Sequence, residues 1–490
     1  MKKIIQQWVA MFAIVLVAKS SLAFCGFYVA KADASLFNNK SEVIMVRDGK
    51  RNVITMSSDF KGNMRDFAMV VPVPTVLAEK DIRVVKRNIF QTLNDYSAPR
   101  LVEYYDYNPC QRFELDAVML GVETTSMRSA SMEEKSVMVT KDDYKVTIEA
   151  QYQIGEYDIL ILSAKESVGL KLWLTDNGYK IPQKAEEVLE PYIKSNMKFF
   201  VVKVNLEKMP KAEEYLSPIQ IEFEHDKFML PLRLGMANSQ GSQDMIVYAF
   251  TRQGRVECTN YRTVKMPTDR NIPLFLKPEF GNFYKSLFEK QYLNEGRNAV
   301  FLEYAWNVSP YVTVKCDPCV GAPPVNQDFV NAGIWWLNDA NVQQSVFFTR
   351  LHVRYTRDKF PADLQFQVTP NNEHYQCRYV LTNPANGEFD CDEGQVYLNT
   401  LYERRKKEID EMYALASWNW EQRSKQYLNE FVTQMKEKPV VEEKKGDVFP
   451  FAFSTGSSNG PSVLLILSVL LVFVIGLLMS LRWLTRFTSR

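Results

Sequence analysis

The chain carries one long apolar run near its C-terminus, and this run constrains its architecture more than any other feature. Residues 463–481 read VLLILSVLLVFVIGLLMSL and contain no charged side chain. In a helix that rises about 1.5 Å per residue, this run measures about 30 Å, which is the thickness of the hydrocarbon core of a bilayer. We therefore expect a single transmembrane helix at residues 462–481.

The charges on either side of the run predict its orientation. Arg482, Arg486 and Arg490 follow it without an acidic residue among them, whereas the charges at residues 442–447 nearly cancel. Because positive charge is retained on the cytoplasmic side, residues 482–490 are expected to form a cytoplasmic basic tail while the bulk of the chain faces outward. An alternative keeps this topology: the C-terminal region also resembles a bacterial sorting signal, whose tail is cleaved so that the body moves to the cell surface.

The N-terminus is typical of a cleaved signal peptide. Lys2 and Lys3 precede an apolar run at residues 8–18, and small residues lead up to Ala23. This run is too short to cross a bilayer, so residues 1–23 are expected to be a cleaved signal peptide and the ectodomain to be exported. A lipoprotein alternative for LAFC would acylate Cys25, although phenylalanine replaces the small residue that normally precedes such a cysteine.

The charge balance of the exported part argues against a nucleic-acid partner. Residues 24–461 carry 53 basic and 58 acidic side chains, and no stretch gathers a basic stripe with interleaved aromatic residues. Hydrophobic residues make up 46% of the chain, which is ample for a packed core. About 440 residues exceed what one core usually serves, so two subdomains are expected.

Strand and helix signals along the ectodomain predict an α+β fold that is rich in antiparallel sheet. The first subdomain is expected at residues 24–270 and the second, which contains a CDPC loop, at residues 271–394, because prolines accumulate near the boundary. Hairpins are predicted at residues 42–58, 219–234 and 244–258, and helices at residues 163–179, 185–195 and 282–294.

Two prolines predict the position of one strand in its sheet. The strand-like run at residues 66–76 contains Pro72 and Pro74. Proline cannot donate a hydrogen bond to a neighbouring strand. This run is therefore expected to leave its sheet, or to lie at the sheet edge, from Val71 onward.

The residues after 394 predict a long amphipathic helix at 395–437. Apolar side chains recur at the spacing of one helix face, namely Tyr402, Ile409, Tyr413, Ala416, Trp420, Tyr427 and Phe431. This face packs on the ectodomain in one interpretation and forms a stalk or partner helix above the membrane in the other. Residues 438–461, with their prolines, glycines and serines, are then a flexible linker to the span.

Several stretches resemble the domain of unknown function 2330 family. In chain order they are CGF (25–27), FAMVVPVP (67–74), IGEYDILILSAKESVGLKLWLTDNGYKIP (154–182), LSPIQIEFEHDKFMLPLRL (216–234), CDPC (316–319) and FFTRLHVRYTRDKFPADLQF (347–366). The resemblance covers nearly the whole ectodomain. It implies a bacterial, secreted protein that often carries a C-terminal span, so the ectodomain is expected to be periplasmic and anchored in a bacterial inner membrane. The resemblance implies no activity.

Seven cysteines follow the expected signal peptide, and an exported chain with this count is interpreted first as disulfide-bonded. The disulfide candidates are Cys25, Cys110, Cys258, Cys316, Cys319, Cys377 and Cys391. Since seven is odd, one of them is free, pairs with another chain or, at Cys25, carries a lipid.

The C-x-x-C spacing in KCDPCVGAPP (residues 315–324) is shared by thiol oxidoreductases, zinc clips and structural crosslinks. A redox enzyme places such a pair at a helix N-terminus, which lowers the thiol pKa, but Gly321, Pro323 and Pro324 prevent a helix from continuing there. Zinc would need further ligands, of which Cys258 is one candidate. A structural disulfide is favoured, and the other two interpretations stay open.

Loop entropy favours pairing the CDPC cysteines with distant partners. A bond within four residues stabilises a fold by about 2 kcal/mol, whereas a bond from Cys258 to Cys316 would contribute about 4 kcal/mol. Cys377 with Cys391 would close a loop worth about 3 kcal/mol. Cross-pairing is therefore expected rather than a ring inside the CDPC sequence.

Histidine and serine motifs offer little support for catalysis. GSSNG at residues 456–460 matches G-x-S-x-G, but it lies in the linker with no strand before it. The chain has three histidines, His225, His352 and His374, which is few for histidine-based acid–base chemistry. His352 lies mid-strand in RLHVRY, where a core or cross-strand partner is expected.

Two acidic groups are candidates for calcium, although a structural role is favoured for both. The first comprises Glu222, Glu224 and Asp226, and the second Asp390, Asp392 and Glu393. The second group precedes the long helix, where acidic residues stabilise the N-terminus. No metal, cofactor or catalytic residue is therefore predicted.

The sequence favours a non-catalytic, membrane-anchored extracytoplasmic protein that binds a partner or has a structural role in the bacterial envelope. Its expected contacts are the lipid bilayer, through the C-terminal span, and an envelope protein. The alternative is an envelope enzyme such as a thiol–disulfide oxidoreductase that uses Cys316 and Cys319. A deep polar pocket with converging titratable groups would favour the enzyme, and an exposed aromatic-rich face would favour recognition.

Overall fold

The computed structural model describes residues 27–29, 37–61, 68–111, 145–177, 185–205, 216–237, 241–313, 315–316, 319, 322–339 and 344–436. Eight α-helices lie in these residues: α1 Asn88–Ser97, α2 Ser167–Asp176, α3 Ala185–Lys194, α4 Arg233–Ala237, α5 Phe280–Asn294, α6 Asn326–Asn331, α7 Asp392–Leu415 and α8 Glu421–Lys436. Short 3-10 helices lie at Glu79–Asp81, Leu274–Glu279 and Trp335–Asn338.

Twenty strands lie in the same described residues. They are β1 Phe27–Val29, β2 Phe37–Asp48, β3 Arg51–Lys61, β4 Ala68–Val73, β5 Ile82–Val84, β6 Arg100–Tyr105, β7 Val146–Ile154, β8 Tyr157–Ala164, β9 Lys198–Val204, β10 Ile219–Glu224, β11 Phe228–Leu230, β12 Gln243–Thr251, β13 Val256–Cys258, β14 Arg262–Lys265, β15 Arg270–Asn271, β16 Ala299–Asn307, β17 Phe347–Tyr355, β18 Leu364–Val368, β19 Tyr375–Gln376 and β20 Arg378–Asn383.

The strands form four sheets. A five-stranded sheet has the order β1-β4-β9-β8-β7, and a nine-stranded sheet has the order β14-β16-β17-β12-β2-β3-β10-β5 with β19 paired to β16. Two small sheets have the orders β11-β18-β13 and β15-β20-β6. The large sheets are mostly antiparallel, and β2 with β12 is a parallel pair at the centre of the larger one. The fold is α+β and rich in sheet, as predicted.

Alternating side chains along the strands build the layers. On β2, Val43 and Met45 join a core that the nine-stranded sheet shares with the five-stranded sheet, whereas Ile44 and Val46 face a second core with α1 and α6. The outer face of the five-stranded sheet packs against α2 and α3 in a third core. The two large sheets therefore lie face to face, with helices covering their outer faces.

Two local predictions about strands are confirmed. The predicted hairpin is present: Gly49 and Lys50 form the loop between β2 and β3, and Gly49 adopts φ +58°, a conformation that glycine reaches without steric cost. Strand β4 pairs with β9 along its whole length, but with β1 only up to Val70. Pro72 therefore has a strand neighbour on one side only among the described residues, which is where a residue without an N–H is tolerated.

Two predicted hairpins are wrong. β10 joins the nine-stranded sheet while β11 pairs with β18, and β12 likewise parts from β13, which pairs with the other edge of β18. In each case the chain leaves the nine-stranded sheet after one strand. Its next strand then pairs with β18 in a different sheet. Local alternation of apolar residues predicts the strands, but it does not identify their partners.

The division expected at residue 270 also needs correction. β12, which precedes this position, pairs over nine residues with β17, which follows it. The two stretches of chain therefore share one sheet and one hydrophobic core. The described residues up to Met435 form a single compact unit.

The long C-terminal helix is interrupted. Ala416 adopts an extended backbone conformation (φ −132°, ψ 156°), and Asn419 caps the next helix by accepting a hydrogen bond from the Glu421 N–H at 3.1 Å. The predicted single helix at residues 395–437 is therefore two helices, α7 and α8. Its apolar face packs on the body, since Ile409 and Trp420 lie in the main core.

Among the residues that the structure describes, no helix combines the length and the apolar character that crossing a membrane requires. The predicted signal peptide (1–23), linker (438–461), transmembrane helix (462–481) and basic tail (482–490) lie outside these residues. These four assignments stay predictions.

Candidate functional site

A disulfide clamps the turn that follows β6 to the start of α7. Cys110 and Cys391 are bonded at an S–S distance of 2.04 Å across 281 positions of sequence. Cys391 is the N-cap of α7, and its Sγ accepts a hydrogen bond from the Gly394 N–H at 3.3 Å. A Cβ at position 394 would lie 2.7 Å from the Cys110 Sγ, so glycine is required for the helix to approach the bond.

Exposed tyrosines lie at the end of β6 and directly after it, at a sheet edge just before this clamp. Tyr104, Tyr105 and Tyr107, which we call the tyrosine edge, are 48%, 68% and 82% exposed. Among the described strands β6 pairs only with β20, in parallel. The N–H groups of Arg100 and Asp106 bond to the β20 side, so the backbone groups of odd-numbered residues between them point away from it.

Charged and polar contacts hold the tyrosine edge in place. Arg404 of α7 donates two hydrogen bonds to the Asp106 carboxylate, at 3.1 and 2.5 Å, and the Tyr397 hydroxyl donates a third at 2.7 Å. Burial raises the pKa of Asp106, but the hydrogen bonds from Arg404 and Tyr397 lower it by more. The pKa of Asp106 is therefore below its ordinary value, and the carboxylate stays ionised. On β6 itself, Glu103 pairs with Lys277 at 2.6 Å.

This arrangement suits recognition of an extended segment. Tyrosine is enriched where proteins bind one another, because its ring offers apolar area and its hydroxyl stays hydrated. A strand with one free edge also offers a row of N–H and C=O groups to which another strand can be added. A rigid frame keeps the ordering cost of binding low. The tyrosine edge is therefore the candidate functional site.

A second polar cluster lies buried between strands. Glu303, at a β-bulge of β16, is 1% exposed, and its carboxylate contacts the Arg350 Nε at 2.6 Å, the His352 Nδ1 at 2.8 Å and the Tyr284 hydroxyl at 2.6 Å. The Arg350 guanidinium also donates to the Asn94 Oδ1 of α1 at 3.0 Å. The bulge turns a side chain from the bulged strand toward the charges of β17.

The cluster extends outward through His352. Its Nε2 lies 3.4 Å from the Asp244 Oδ1, and its ring stacks on Phe288 of α5 at a centroid distance of 3.9 Å. Arg354 forms a bidentate pair with Asp244 at 2.7 and 2.9 Å. The expectation that His352 is a cross-strand partner is confirmed.

Electrostatics keeps this cluster charged. Burial raises the pKa of Glu303, but Arg350 and His352 lower it by more, so the pKa of Glu303 lies well below its usual range. Burial lowers the pKa of His352, but Glu303 and Asp244 raise it above its ordinary value. Each charge in the cluster therefore has an opposite charge inside the fold, and the Glu303 carboxylate is out of reach of a substrate. The network therefore links the neighbouring strands β16, β17 and β12.

The CDPC cysteines are bonded to each other. Cys316 and Cys319 form a disulfide, in which Cys316 is 3% exposed and Cys319 is exposed. The expected cross-pairing, including Cys258 with Cys316, is therefore wrong, because the turn brings the two nearest sulfurs together. The next helix, α6, begins at Asn326, so the pair does not lie at a helix N-terminus, as its sequence predicted.

The other cysteines are also placed differently from the proposed pairs. Cys377 is not bonded to Cys391, whose partner is Cys110, and both Cys377 and Cys258 are buried free thiols. Burial raises the pKa of each of these two thiols, which keeps them protonated and unreactive. Cys25 lies outside the described residues.

The two acidic groups are engaged by neighbours. Glu222 pairs with Arg51 and Asp226 pairs with Lys50, at 2.6 and 2.7 Å, while Asp392 and Glu393 lie in the first turn of α7. In the part of the chain that the structure describes, no group of three or more His, Cys, Asp or Glu side chains is placed to hold a metal ion. The GSSNG sequence lies outside that part.

The remaining histidines have local roles. His374 stacks on Trp306 at a centroid distance of 4.3 Å, and burial lowers its pKa. The His225 Nδ1 accepts a hydrogen bond from the Lys227 N–H at 3.2 Å. Among the described residues, neither histidine is a contact partner of His352 or Glu303.

Sequence reasoning missed both the tyrosine edge and Glu303. The signal for the first is present in the stretch EYYDYN at residues 103–108, where three tyrosines fall within four positions at the end of β6. Glu303 lies in the apolar stretch AVFLEYAW at residues 299–306, and a lone acid inside such a stretch indicates a buried, paired charge.

The comparisons with known proteins identify a family. Residues 19–367 match the family described as "Uncharacterized protein conserved in bacteria" (DUF2330). No curated protein and no solved structure matches the chain significantly. The matched region includes β6 and the CDPC loop, whereas α7 and α8 follow it. The chain belongs to the DUF2330 family of bacterial proteins.

Proposed function

We propose that this chain is a membrane-anchored extracytoplasmic protein whose folded body binds a partner protein of the bacterial envelope, without catalysing a reaction. The observation that carries the proposal is the tyrosine edge: exposed aromatic rings on a strand whose outer edge has no strand neighbour among the described residues. The partner contributes an extended segment that adds to β6, so that backbone hydrogen bonds supply affinity and the rings supply selectivity.

Two features support the extracytoplasmic location. The Cys110–Cys391 and Cys316–Cys319 disulfides suit an oxidising compartment, because thiols stay reduced in the cytoplasm of most bacteria. The N-terminal sequence is typical of a signal peptide, and the apolar run at residues 463–481 with its trailing arginines suits an anchor whose short end is cytoplasmic.

The non-catalytic part of the proposal rests on the buried cluster around Glu303. Its charges are matched by Arg350, His352 and Arg354 inside the fold, and Glu303 itself is 1% exposed. A catalytic acid or base must reach the atom it protonates or deprotonates. This cluster instead joins three neighbouring strands of the large sheet.

Crosslinking in intact cells tests the binding edge. A photoreactive amino acid at position 105 is expected to capture one discrete envelope protein, whereas the same group at position 172, an exposed leucine on α2, captures none. Replacing Glu103 with proline removes an N–H that faces away from β20, so it should abolish the crosslink while leaving the β6–β20 pairing intact.

Glu103→Gln is the matched control for this proline. It removes the charge that pairs with Lys277 but keeps the N–H, and we expect it to crosslink like the parent protein. Equal crosslinking by Glu103→Pro, with the Cys110–Cys391 bond intact by peptide mapping, would rule out strand addition at this edge. Protease added to spheroplasts tests the location: digestion of the body with protection of a C-terminal tag is expected, and the reverse pattern would refute the topology.

A further inference from the structure

The two sulfurs of the CDPC loop differ in their surroundings. Cys316 is buried in the apolar cluster that includes Tyr96, Tyr304 and Trp336, whereas Cys319 is exposed. An attacking thiolate must reach a sulfur along the axis of the S–S bond, so access decides which sulfur reacts. Of the two cysteines, Cys319 is therefore the one on the exposed side of the bond, whereas Cys316 is 3% exposed.

The residue before the pair is anchored independently of the disulfide. The carbonyl of Lys315 accepts hydrogen bonds from the Tyr96 hydroxyl of α1 at 2.6 Å and from the Tyr304 hydroxyl of β16 at 2.9 Å. These two buried tyrosines hold the chain to the core on the N-terminal side of Cys316. Opening the disulfide therefore leaves the start of the loop in place.

The bond contributes little to holding the fold together. It joins residues three positions apart, so it restricts the unfolded chain far less than the Cys110–Cys391 bond, which spans 281 positions. The longer bond is also less accessible, because both of its cysteines are half-buried and the first turn of α7 lies against it. The molecule thus has one disulfide suited to stability and another whose position suits exchange.

We infer that the Cys316–Cys319 disulfide is a redox-responsive site that accepts two electrons from a reduced dithiol protein outside the cytoplasm. The thiolate of that protein attacks the Cys319 Sγ, the bond to Cys316 breaks, and the Cys316 sulfur leaves and takes up a proton. The second thiol of the dithiol protein then loses its proton and attacks the mixed disulfide, which releases Cys319 and leaves the reductant oxidised. One disulfide is exchanged for another, so atoms and electrons balance.

This role differs from that of a thiol oxidoreductase. An oxidoreductase attacks other proteins with a thiolate that a helix N-terminus stabilises, whereas the next helix among the described residues begins only at Asn326. An electron-accepting disulfide needs only an accessible sulfur and a leaving partner. The site is also independent of the tyrosine edge, so each proposal can fail without the other.

A trapping experiment on the full chain tests the inference. The probe is a reduced dithiol protein of the thioredoxin type whose second cysteine has been replaced by serine, so that the mixed disulfide cannot resolve. We expect the probe to be covalently attached at Cys319, as determined by peptide mapping, with Cys316 alkylated and the Cys110–Cys391 bond intact. Titration with dithiothreitol should open Cys316–Cys319 at a concentration at least about tenfold below that needed for Cys110–Cys391.

Two controls separate exchange from unfolding. Cys319→Ser removes the target sulfur and should abolish trapping, whereas Cys258→Ser, which removes a buried free thiol, should trap like the parent protein. The near-ultraviolet circular dichroism of the trapped protein should match that of the parent. Attachment at Cys316, Cys110 or Cys391, simultaneous opening of both disulfides, or no trapping at all would overturn the inference.

Discussion

Glu303 and Arg350 face each other from neighbouring strands, with the Glu303 Oε2 2.6 Å from the Arg350 Nε and side-chain exposures of 1% and 5%. Charges this deep are costly to leave without a partner, and together they link β16 to β17 within the large sheet. The pair therefore makes the pairing of β16 with β17 more specific than apolar packing alone would.

Replacing Arg350 with methionine is expected to lower the free energy of unfolding by about 3–5 kcal/mol, because it leaves the Glu303 carboxylate buried with less compensation. The double variant Arg350→Met/Glu303→Gln should recover part of that loss. Urea denaturation of the parent protein, the single variant and the double variant measures these free energies. Glu421→Gln, which disrupts an exposed pair with Lys425, should leave the midpoint unchanged, and an equal loss there would contradict the assignment.

His352 predicts a pH dependence of stability. Burial lowers the pKa of its imidazole, but Glu303 and Asp244 raise it above the ordinary value of 6.5. The folded state therefore binds the proton more tightly than the unfolded state, and this stabilisation is complete below pH 6.5 and is lost as the pH rises through the folded pKa. Free energies of unfolding measured across that range should fall in the parent protein and stay flatter in His352→Gln. His225→Gln is the control, and its profile should follow the parent.

The two disulfides are expected to differ in their contribution to stability. Removing the long one with Cys110→Ala/Cys391→Ala should cost about 5 kcal/mol in the entropic description of crosslinks. Removing the short one with Cys316→Ala/Cys319→Ala should cost about 2 kcal/mol. Guanidinium denaturation under non-reducing conditions measures both. A larger loss from the short bond would show that it, rather than the clamp, holds the fold.

Two tryptophans at the interruption between α7 and α8 offer a matched pair. Trp420 is 3% exposed and contacts the Phe283 ring at a centroid distance of 6.0 Å, whereas Trp418 is 54% exposed. Trp420→Ala should lower the free energy of unfolding by about 3–5 kcal/mol because it opens a cavity. Trp418→Ala should change it by less than about 0.5 kcal/mol. Similar losses for both variants would show that the interruption is not anchored as described.

Local chemistry made several elements predictable from the sequence. The Asp48-Gly49 pair is a strong local signal for a hairpin, and β2 and β3 form that hairpin. Pro72 lacks the N–H that a second strand neighbour would bond, so its position at a sheet edge was also predicted correctly. The apolar spacing of Ile409 and Trp420 correctly indicated a face that packs on the body. It did not indicate the extended residue Ala416, because the helical spacing continues across the interruption.

The partners of strands and cysteines depend on distant parts of the chain. β11 and β13 follow strands of the larger sheet but pair with β18, more than 100 residues away, and no local pattern encodes that choice. Cys391 likewise bonds to Cys110 instead of the nearer Cys377. Loop entropy ranks possible bonds only for the unfolded chain, whereas the folded geometry decides which sulfurs meet.

The parallel pairing of β2 with β12 and the antiparallel pairing of β12 with β17 have a consequence for biogenesis. Residues 41–47 lie beside residues 245–251, which lie beside residues 347–353, and β19 at Tyr375–Gln376 is the last strand of this sheet, so the sheet is complete only when about three quarters of the chain is present. Contacts this far apart in sequence form slowly and leave apolar strands exposed in the meantime. A chain that emerges from its N-terminus therefore needs protection from aggregation until β17 arrives.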